Sequence, residues 1–206
     1  MGCNSSKGVS DARSSGRTVC SNKLKRSEDL KGWPQFPEGT KSLLSKHLSK
    51  EIWDKYCDKA DKYGVTFKTC VFSGCQNVDS GIGCYAGSED SYECFKEFFD
   101  CIIESYHGHK PADRHVNDMA AEDLNCPPFT EEEASLIKST RIRVGRNLAG
   151  YPLGPGITNE QRIEVMNKVK QACEAFEGDL AGQFYPLEGM DKGTQTKLIA
   201  DHFLFK

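Results

Sequence analysis

Two short stretches hold residue types that could do chemistry. The first is STRIRVGR, Ser139 to Arg146. Read with a period of two, Arg141 and Arg143 fall on one face of a strand, and Ile142 and Val144 on the other. Two guanidinium forks roughly 6–7 Å apart suit neighbouring phosphates of a nucleotide, because arginine stays charged and donates in pairs to phosphate oxygens. The same pair would also serve an exposed strand face that meets surface carboxylates. The second stretch is NVDSGIGCYA, Asn77 to Ala86. Gly81 and Gly83 permit backbone conformations that other residues resist, and they let backbone N–H groups approach a ligand closely. The stretch lacks the G-K-[ST] of a P-loop and the third glycine of a dinucleotide fingerprint. Read alone, it also fits an ordinary turn.

The opening MGCNSSK reads as an address. Removal of Met1 exposes Gly2, and Ser6 sits where the N-myristoylation pattern wants Ser or Thr. One myristoyl chain binds membranes only marginally, so stable anchoring needs a second signal. Two are present: Cys3, a site for a thioester-linked chain such as palmitate, and a run of six basic residues against one acid up to Arg26. That run carries +5, against −3 for the whole chain, which leaves −8 for the remainder. Each cation near an anionic leaflet adds about 1 kcal/mol. The acidic remainder argues against general nucleic-acid binding. No apolar run approaches the roughly 18–20 residues of a spanning helix. The ten cysteines show no CxxC pair or zinc spacing, so they read as reduced cytosolic thiols packing as small hydrophobes.

The elements that position these residues follow from periodicity and caps. Leu44, Leu48, Ile52, Trp53 and Tyr56 recur at helical spacing, with Ser49 able to split the run by capping a second helix. The stretch from Tyr63 to Gly87 reads mostly as loop from its Gly and Asn content. An amphipathic helix follows, with Ser88 as cap and Tyr92, Phe95, Phe99, Ile102 and Tyr106 as its core stripe. Thr130 with Glu133, and Thr158 with Gln161, form capping boxes. The second opens a helix with Ile163, Met166, Val169, Cys173 and Phe176 on one side. DKGTQTKLIADHFLFK starts helically and ends strand-like. A chain seldom stops inside such a run, so a fragment of a longer protein is expected.

Three segments carry a family resemblance: NVDSGIGCYAGSEDSYECFKEFFDCIIESYHG, TRIRVGRNLAGYPL and YPLEGMDKGTQTKLIADHFLFK. Together they resemble the phosphagen kinases, the ATP:guanidino phosphotransferases, and within them the arginine kinases. The resemblance covers about residues 34–206. It implies an α+β architecture, with a small all-α N-terminal domain followed by the start of an α/β catalytic domain built on an antiparallel sheet. The domain expectation is a disordered acylated tether over 1–33, the all-α domain over 34–125, a linker over 126–138, and the incomplete catalytic domain over 139–206.

The resemblance also implies site roles. Ser139, Thr140, Arg141, Ile142 and Arg143 would bind the nucleotide phosphates, with His202 against the adenine. Ser80, Gly81, Ile82, Gly83, Cys84 and Tyr85 would fold over the guanidino substrate, and Asp79 would take part in domain closure. The loop lacks the extra residues that shrink the pocket in creatine kinases, which favours arginine, although Cys84 departs from the usual aliphatic residue and leaves taurocyamine and related compounds open. The reaction implied is reversible transfer of the γ-phosphoryl of MgATP to a guanidino nitrogen. The family's acids, reactive cysteine and remaining arginines lie downstream of DHFLFK. No catalytic residue is therefore expected within these 206 residues, and no turnover from them alone. The alternative is a non-catalytic, membrane-anchored guanidino-binding or partner module. The lipid signal places either protein on the cytoplasmic face of a membrane, such as the plasma membrane or that of a cilium; a homodimer stays open.

Overall fold

The computed structural model describes residues 16–120, 122, 126–138, 140 and 145–204. They fall into two compact units, one ending at Ile157 and one starting at Thr158.

The first unit opens with two short strands, β1 (Arg17–Val19) and β2 (Trp33–Gln35), paired in parallel with Arg17 opposite Trp33. A 3-10 turn, Ser27–Asp29, lies on the crossover between them. Gly32 is required here, because a Cβ would meet the Gly16 carbonyl oxygen at 1.9 Å. The tether expected over residues 1–33 is thus corrected from Gly16 onward: Cys20 and Leu30 are fully buried. Single apolar residues without a period give no local signal, and only tertiary contact orders them.

Helices α1 (Leu43–His47) and α2 (Lys50–Tyr56) divide at Ser49, whose side chain accepts from the Ile52 N–H, as the cap signal indicated. Next comes α3 (Phe67–Gln76), capped by Thr66. This stretch reads as loop in the sequence, and the structure corrects it. Phe67, Cys70, Val71, Gly74 and Cys75 of α3 are all buried. These positions recur at helical spacing, but three of the five are Cys70, Gly74 and Cys75, so the apolar stripe is weak in the sequence and the segment reads as loop.

The single helix expected after Ser88 is two, α4 (Ser91–Cys94) and α5 (Lys96–His107), parted at Phe95. That break shifts the phase of the apolar stripe. Phe95, Phe99 and Ile102 are buried as expected, Phe98 joins them, and Tyr92 and Tyr106 are exposed. Phe67 is the hub of the core. Its ring meets Tyr56, Phe95 and Phe98 at 5.2–5.6 Å and Trp53 at 6.4 Å, mostly edge to face. Offset and edge contacts of this kind add to the burial of the rings themselves. Helix α6 (Glu131–Leu136) opens on the expected Thr130–Glu133 capping box.

In the second unit, α7 (Asn159–Glu174) opens on the Thr158–Gln161 capping box, and α8 (Lys192–Ala200) is capped by Asp191. The expected apolar side of α7 is present, but Ile163, Met166, Val169 and Phe176 are exposed. The antiparallel sheet expected after residue 139 is corrected. Among the described residues the sheet is the parallel β1–β2 pair, and His202 to Leu204 form a turn rather than a strand. A strand holds only with another alongside it, and the described residues from Thr158 on supply none. The strand reading of Arg141 to Arg143 lies outside the described residues. No helix among the described residues is long and apolar enough to cross a membrane.

One buried charge organises the chain before α4. Asp61 accepts from the N–H groups of Val65 (2.9 Å) and Tyr63 (3.0 Å) and from the hydroxyls of Ser88 (2.6 Å) and Ser91 (2.7 Å). Burial alone would raise its carboxyl pKa, but these four donors outweigh burial and hold it below the ordinary 3.8. A lowered native pKa stabilises the fold above pH about 3.8, and that stabilisation is lost as pH falls through the lower native value. Asp61→Asn should therefore cost about 1–3 kcal/mol at neutral pH, since an amide cannot accept from all four donors. The difference in urea-unfolding stability between wild type and variant should shrink steadily below pH 4. A difference that stays constant with pH would contradict this role.

Candidate functional site

The glycine loop runs from Asn77 to Ser88, between α3 and α4. Its carbonyl oxygens turn into the fold. Gly81 and Ile82 accept from the N–H groups of Leu43 (3.0 Å) and Leu44 (2.9 Å). Those are the first residues of α1, whose N–H groups have no partner inside their own helix. Gly83 accepts from the Gly74 N–H at 2.8 Å, and Cys70 accepts from the Tyr85 N–H at 2.9 Å. Gly87 accepts from the Leu153 N–H at 2.8 Å. The N–H groups of Gly81, Ile82, Gly83 and Cys84 donate to no acceptor among the described residues. Successive N–H groups, those of Ile82, Gly83 and Cys84 in peptides whose carbonyls are engaged, are an arrangement that suits an anionic group.

Two glycines make this possible. Gly83 has φ +84°, and a Cβ there would come within 3.1 Å of the Leu44 Cβ and 3.2 Å of the Gly74 Cα. A Cβ on Gly74 would meet the Gly83 carbonyl oxygen at 2.4 Å. Gly81 faces open space. The two glycines singled out in the sequence thus differ: Gly83 is structural, while Gly81 leaves room above the loop.

Beside the loop lies an open groove of about 430 Å³, lined by Ile82, Cys84, Tyr85, Tyr92, Ile102 and Leu153 among others. Asp79 and Tyr85 are exposed, Ser80 is half-buried, and the Ser80 N–H donates to the Asn77 carbonyl at 3.0 Å. Burial pushes the Cys84 thiol up to about 12, so it lines the groove as an apolar, protonated group rather than a nucleophile. Thr140 is exposed, in the first unit. His202 is exposed, in the second unit, with φ +62°. Ser139, Arg141, Ile142 and Arg143, and the acylation candidates Gly2 and Cys3, lie outside the described residues. No cluster of His, Cys, Asp or Glu among the described residues could hold a metal ion.

Three contributors escaped the sequence reading: the α1 N–H groups that tie down Gly81 and Ile82, Leu153 that ties down Gly87, and Asp61 that anchors the loop's exit at Ser88. Asp61 lies just ahead of the loop-like run and carried no signal of this role in the sequence. Gly83→Ala must both adopt a left-handed backbone and crowd Leu44, so it should cost at least about 1–2 kcal/mol. Gly81→Ala should cost less than 1 kcal/mol. Thermal unfolding of the two variants checks the ranking, and equal costs would refute it.

Comparison with known proteins agrees with this geometry. The family model described as ATP:guanido phosphotransferase, N-terminal domain, matches residues 38–104, which include the whole loop. An arginine kinase of Anthopleura japonica is 46% identical over 83% of the chain, and one of Penaeus vannamei is 46% identical over 81%. The chain spans 25% of the first and 47% of the second. Among solved structures, the substrate-free duplicated taurocyamine kinase of Schistosoma mansoni superposes with a TM-score of 0.68 at 34% identity, over 82% of this chain and 24% of its own. A lombricine kinase superposes with a TM-score of 0.69 at 32% identity, over 84% of this chain and 48% of its own. The chain belongs to the ATP:guanido phosphotransferase family, the phosphagen kinases, and residues 38–104 are that family's N-terminal domain.

Proposed function

We propose that the chain serves a membrane-anchored phosphagen kinase that moves the γ-phosphoryl of MgATP reversibly to a guanidino substrate, with arginine as that substrate. The observation that carries the substrate side is the row of N–H donors from Gly81 to Cys84. They would take the α-carboxylate of arginine and so aim its guanidino end away from the loop. Ser80 and Tyr85 flank this row, and Asp79 at its start would take part in closing the loop over the substrate. Closure excludes water and protects the phosphoryl group from hydrolysis. On the nucleotide side, Arg141 and Arg143, with Ser139, Thr140 and Ile142 around them, would hold the phosphates, and His202 would lie against the adenine. Magnesium enters as part of the nucleotide substrate. Such a reaction asks the protein mainly for alignment and charge neutralisation. The arginine kinase relatives at 46% identity support arginine over other guanidino compounds.

The test is an amide-resolved titration of the chain. L-arginine should shift the Gly81 to Cys84 amides, and agmatine, which keeps the guanidino group but lacks the carboxylate, should shift them far less. If arginine moves none of these amides, the reading fails. For the address, a cell fed an alkyne-tagged fatty acid should label the protein at Gly2 and Cys3. Gly2→Ala should abolish labelling and release the protein from membranes, and unchanged membrane retention would refute acylation at Gly2.

A further inference from the structure

Strand β1 has two faces. Thr18 is half-buried, and its Oγ1 accepts from the Gly32 N–H at 3.0 Å, while Arg17 and Val19 are exposed on the other face. The chain that follows is held by the fold. The Cys20 N–H donates to the Gln35 carbonyl at 2.8 Å, the Gln76 side-chain amide donates to the Leu24 carbonyl at 2.7 Å, and the Thr69 hydroxyl donates to Ser27 Oγ at 3.3 Å. Cys20 and Leu30 are buried and Leu24 packs against the core, which leaves Lys23, Lys25, Arg26 and Lys31 exposed. One carboxylate oxygen of Asp29 accepts from the Lys25 and Arg26 N–H groups, at 2.8 and 3.0 Å, so these two cations leave the same turn. Among the described residues, no ion pair joins Arg17, Lys23 or Lys25 to a carboxylate. From Arg17 to Lys31 the chain has five cations against two acids. Residues 1–31 carry +4 of a chain whose net charge is −3, so the remainder carries −7.

We propose that this ordered face, carrying Arg17, Val19, Lys23, Lys25 and Arg26, docks on the headgroups of anionic lipid, so that a fixed surface of the first unit meets the bilayer. The proposal rests on the acylation proposed above to bring the chain to a membrane, and it adds an orientation to that address. Each cation held within a Debye length of an anionic leaflet strengthens binding. Val19, 64% exposed, sets an apolar side chain among the cations that can enter the headgroup layer. The acidic remainder is repelled by the same leaflet, which turns the other faces of the chain away. Because the fold already holds the segment, little chain entropy is lost when it docks. The consequence reaches the site: Arg26 and the glycine loop's Tyr85 line one cavity of about 330 Å³, so docking fixes how the loop stands relative to the bilayer.

The experiment mixes the N-myristoylated full chain with vesicles of phosphatidylcholine, with or without phosphatidylserine. Bound chain is acetylated at its lysines with acetic anhydride, and the rate at each lysine is read by mass spectrometry. Phosphatidylserine should raise the bound fraction. On those vesicles Lys23 and Lys25 should react several-fold more slowly than in solution, while Lys96 and Lys110 keep their solution rates. The variant Lys23→Gln with Lys25→Gln keeps every backbone hydrogen bond of the segment. It should bind phosphatidylserine vesicles about fivefold more weakly per cation removed and bind phosphatidylcholine vesicles as the wild type does. Solution rates at Lys23 and Lys25 on the vesicles, with slowing at Lys7 alone, would mean a loose tether and overturn the proposal while the acyl address stands. Equal slowing at Lys96 and Lys110 would overturn it too, since no one face would then be docked. Binding to neither kind of vesicle would sink the acyl address itself, and the proposal with it. Because the rates are read in the wild-type chain, a variant that fails to fold does not decide the outcome.

Discussion

The backbone-to-backbone approach of Gly74 and Gly83 is the constraint on which the rest of the first unit depends. Where the two meet, no side chain fits on Gly74, so α3 and the loop share one hydrogen bond and one van der Waals surface. Everything around them follows from keeping α3 at that depth. Phe67 at its start fills the space between α2 and the α4–α5 break, and Cys70, Val71 and Cys75 line the helix below the loop. Pulling α3 outward would open the aromatic centre and release the loop together. Packing and site geometry are here one property.

The loop combines rigidity with openness. The Gly81, Ile82 and Gly83 carbonyls are committed to α1 and α3, which fixes the orientation of three successive peptide planes. In a trans peptide the N–H points opposite to the carbonyl, so the Ile82, Gly83 and Cys84 N–H groups are turned away from α1 and α3 without rearrangement. Asp61 extends the same logic to the loop's exit. Four donors around one carboxylate leave little freedom for Ser88 and Ser91, and the start of α4 is thereby set. A preorganised donor row spends less ordering entropy on binding than a floppy turn of the same composition.

The legible parts of the sequence are those with a local cause. Ser49, Thr130 and Thr158 cap helices because a hydroxyl accepts from an N–H two or three residues on, and that needs nothing from the rest of the chain. The loop glycines were legible as a turn with ligand potential for the same reason. What stayed hidden depends on contacts distant in sequence. Helix α3 builds its core stripe partly from Cys70, Gly74 and Cys75, which read as loop until other elements bury them, β1 and β2 are three residues each and take their order from one another, and Phe95 interrupts a stripe that reads as continuous. Within the site, nothing near Leu43 or Leu153 announces that their N–H groups will hold a loop some forty or sixty-five residues away. The nucleotide residues were legible only through the family resemblance, since two arginines with a period of two fit several surfaces equally well.

The parallel pairing of β1 with β2 places Trp33 against Trp53, with ring centroids 6.3 Å apart and planes at 82°. These are both of the tryptophans in the chain. Rings this close exchange excitation, and their crossed planes give the pair a chiral coupling that separate indoles lack. The tryptophan band, at the long-wavelength edge of the near ultraviolet where tyrosine and phenylalanine do not contribute, therefore reports the docking of the N-terminal segment on α2. Everything beyond Trp53, including α7 and α8, is silent in that channel. Undocking the segment would change that band while leaving every helix intact, and melting the second unit would leave the band as it was.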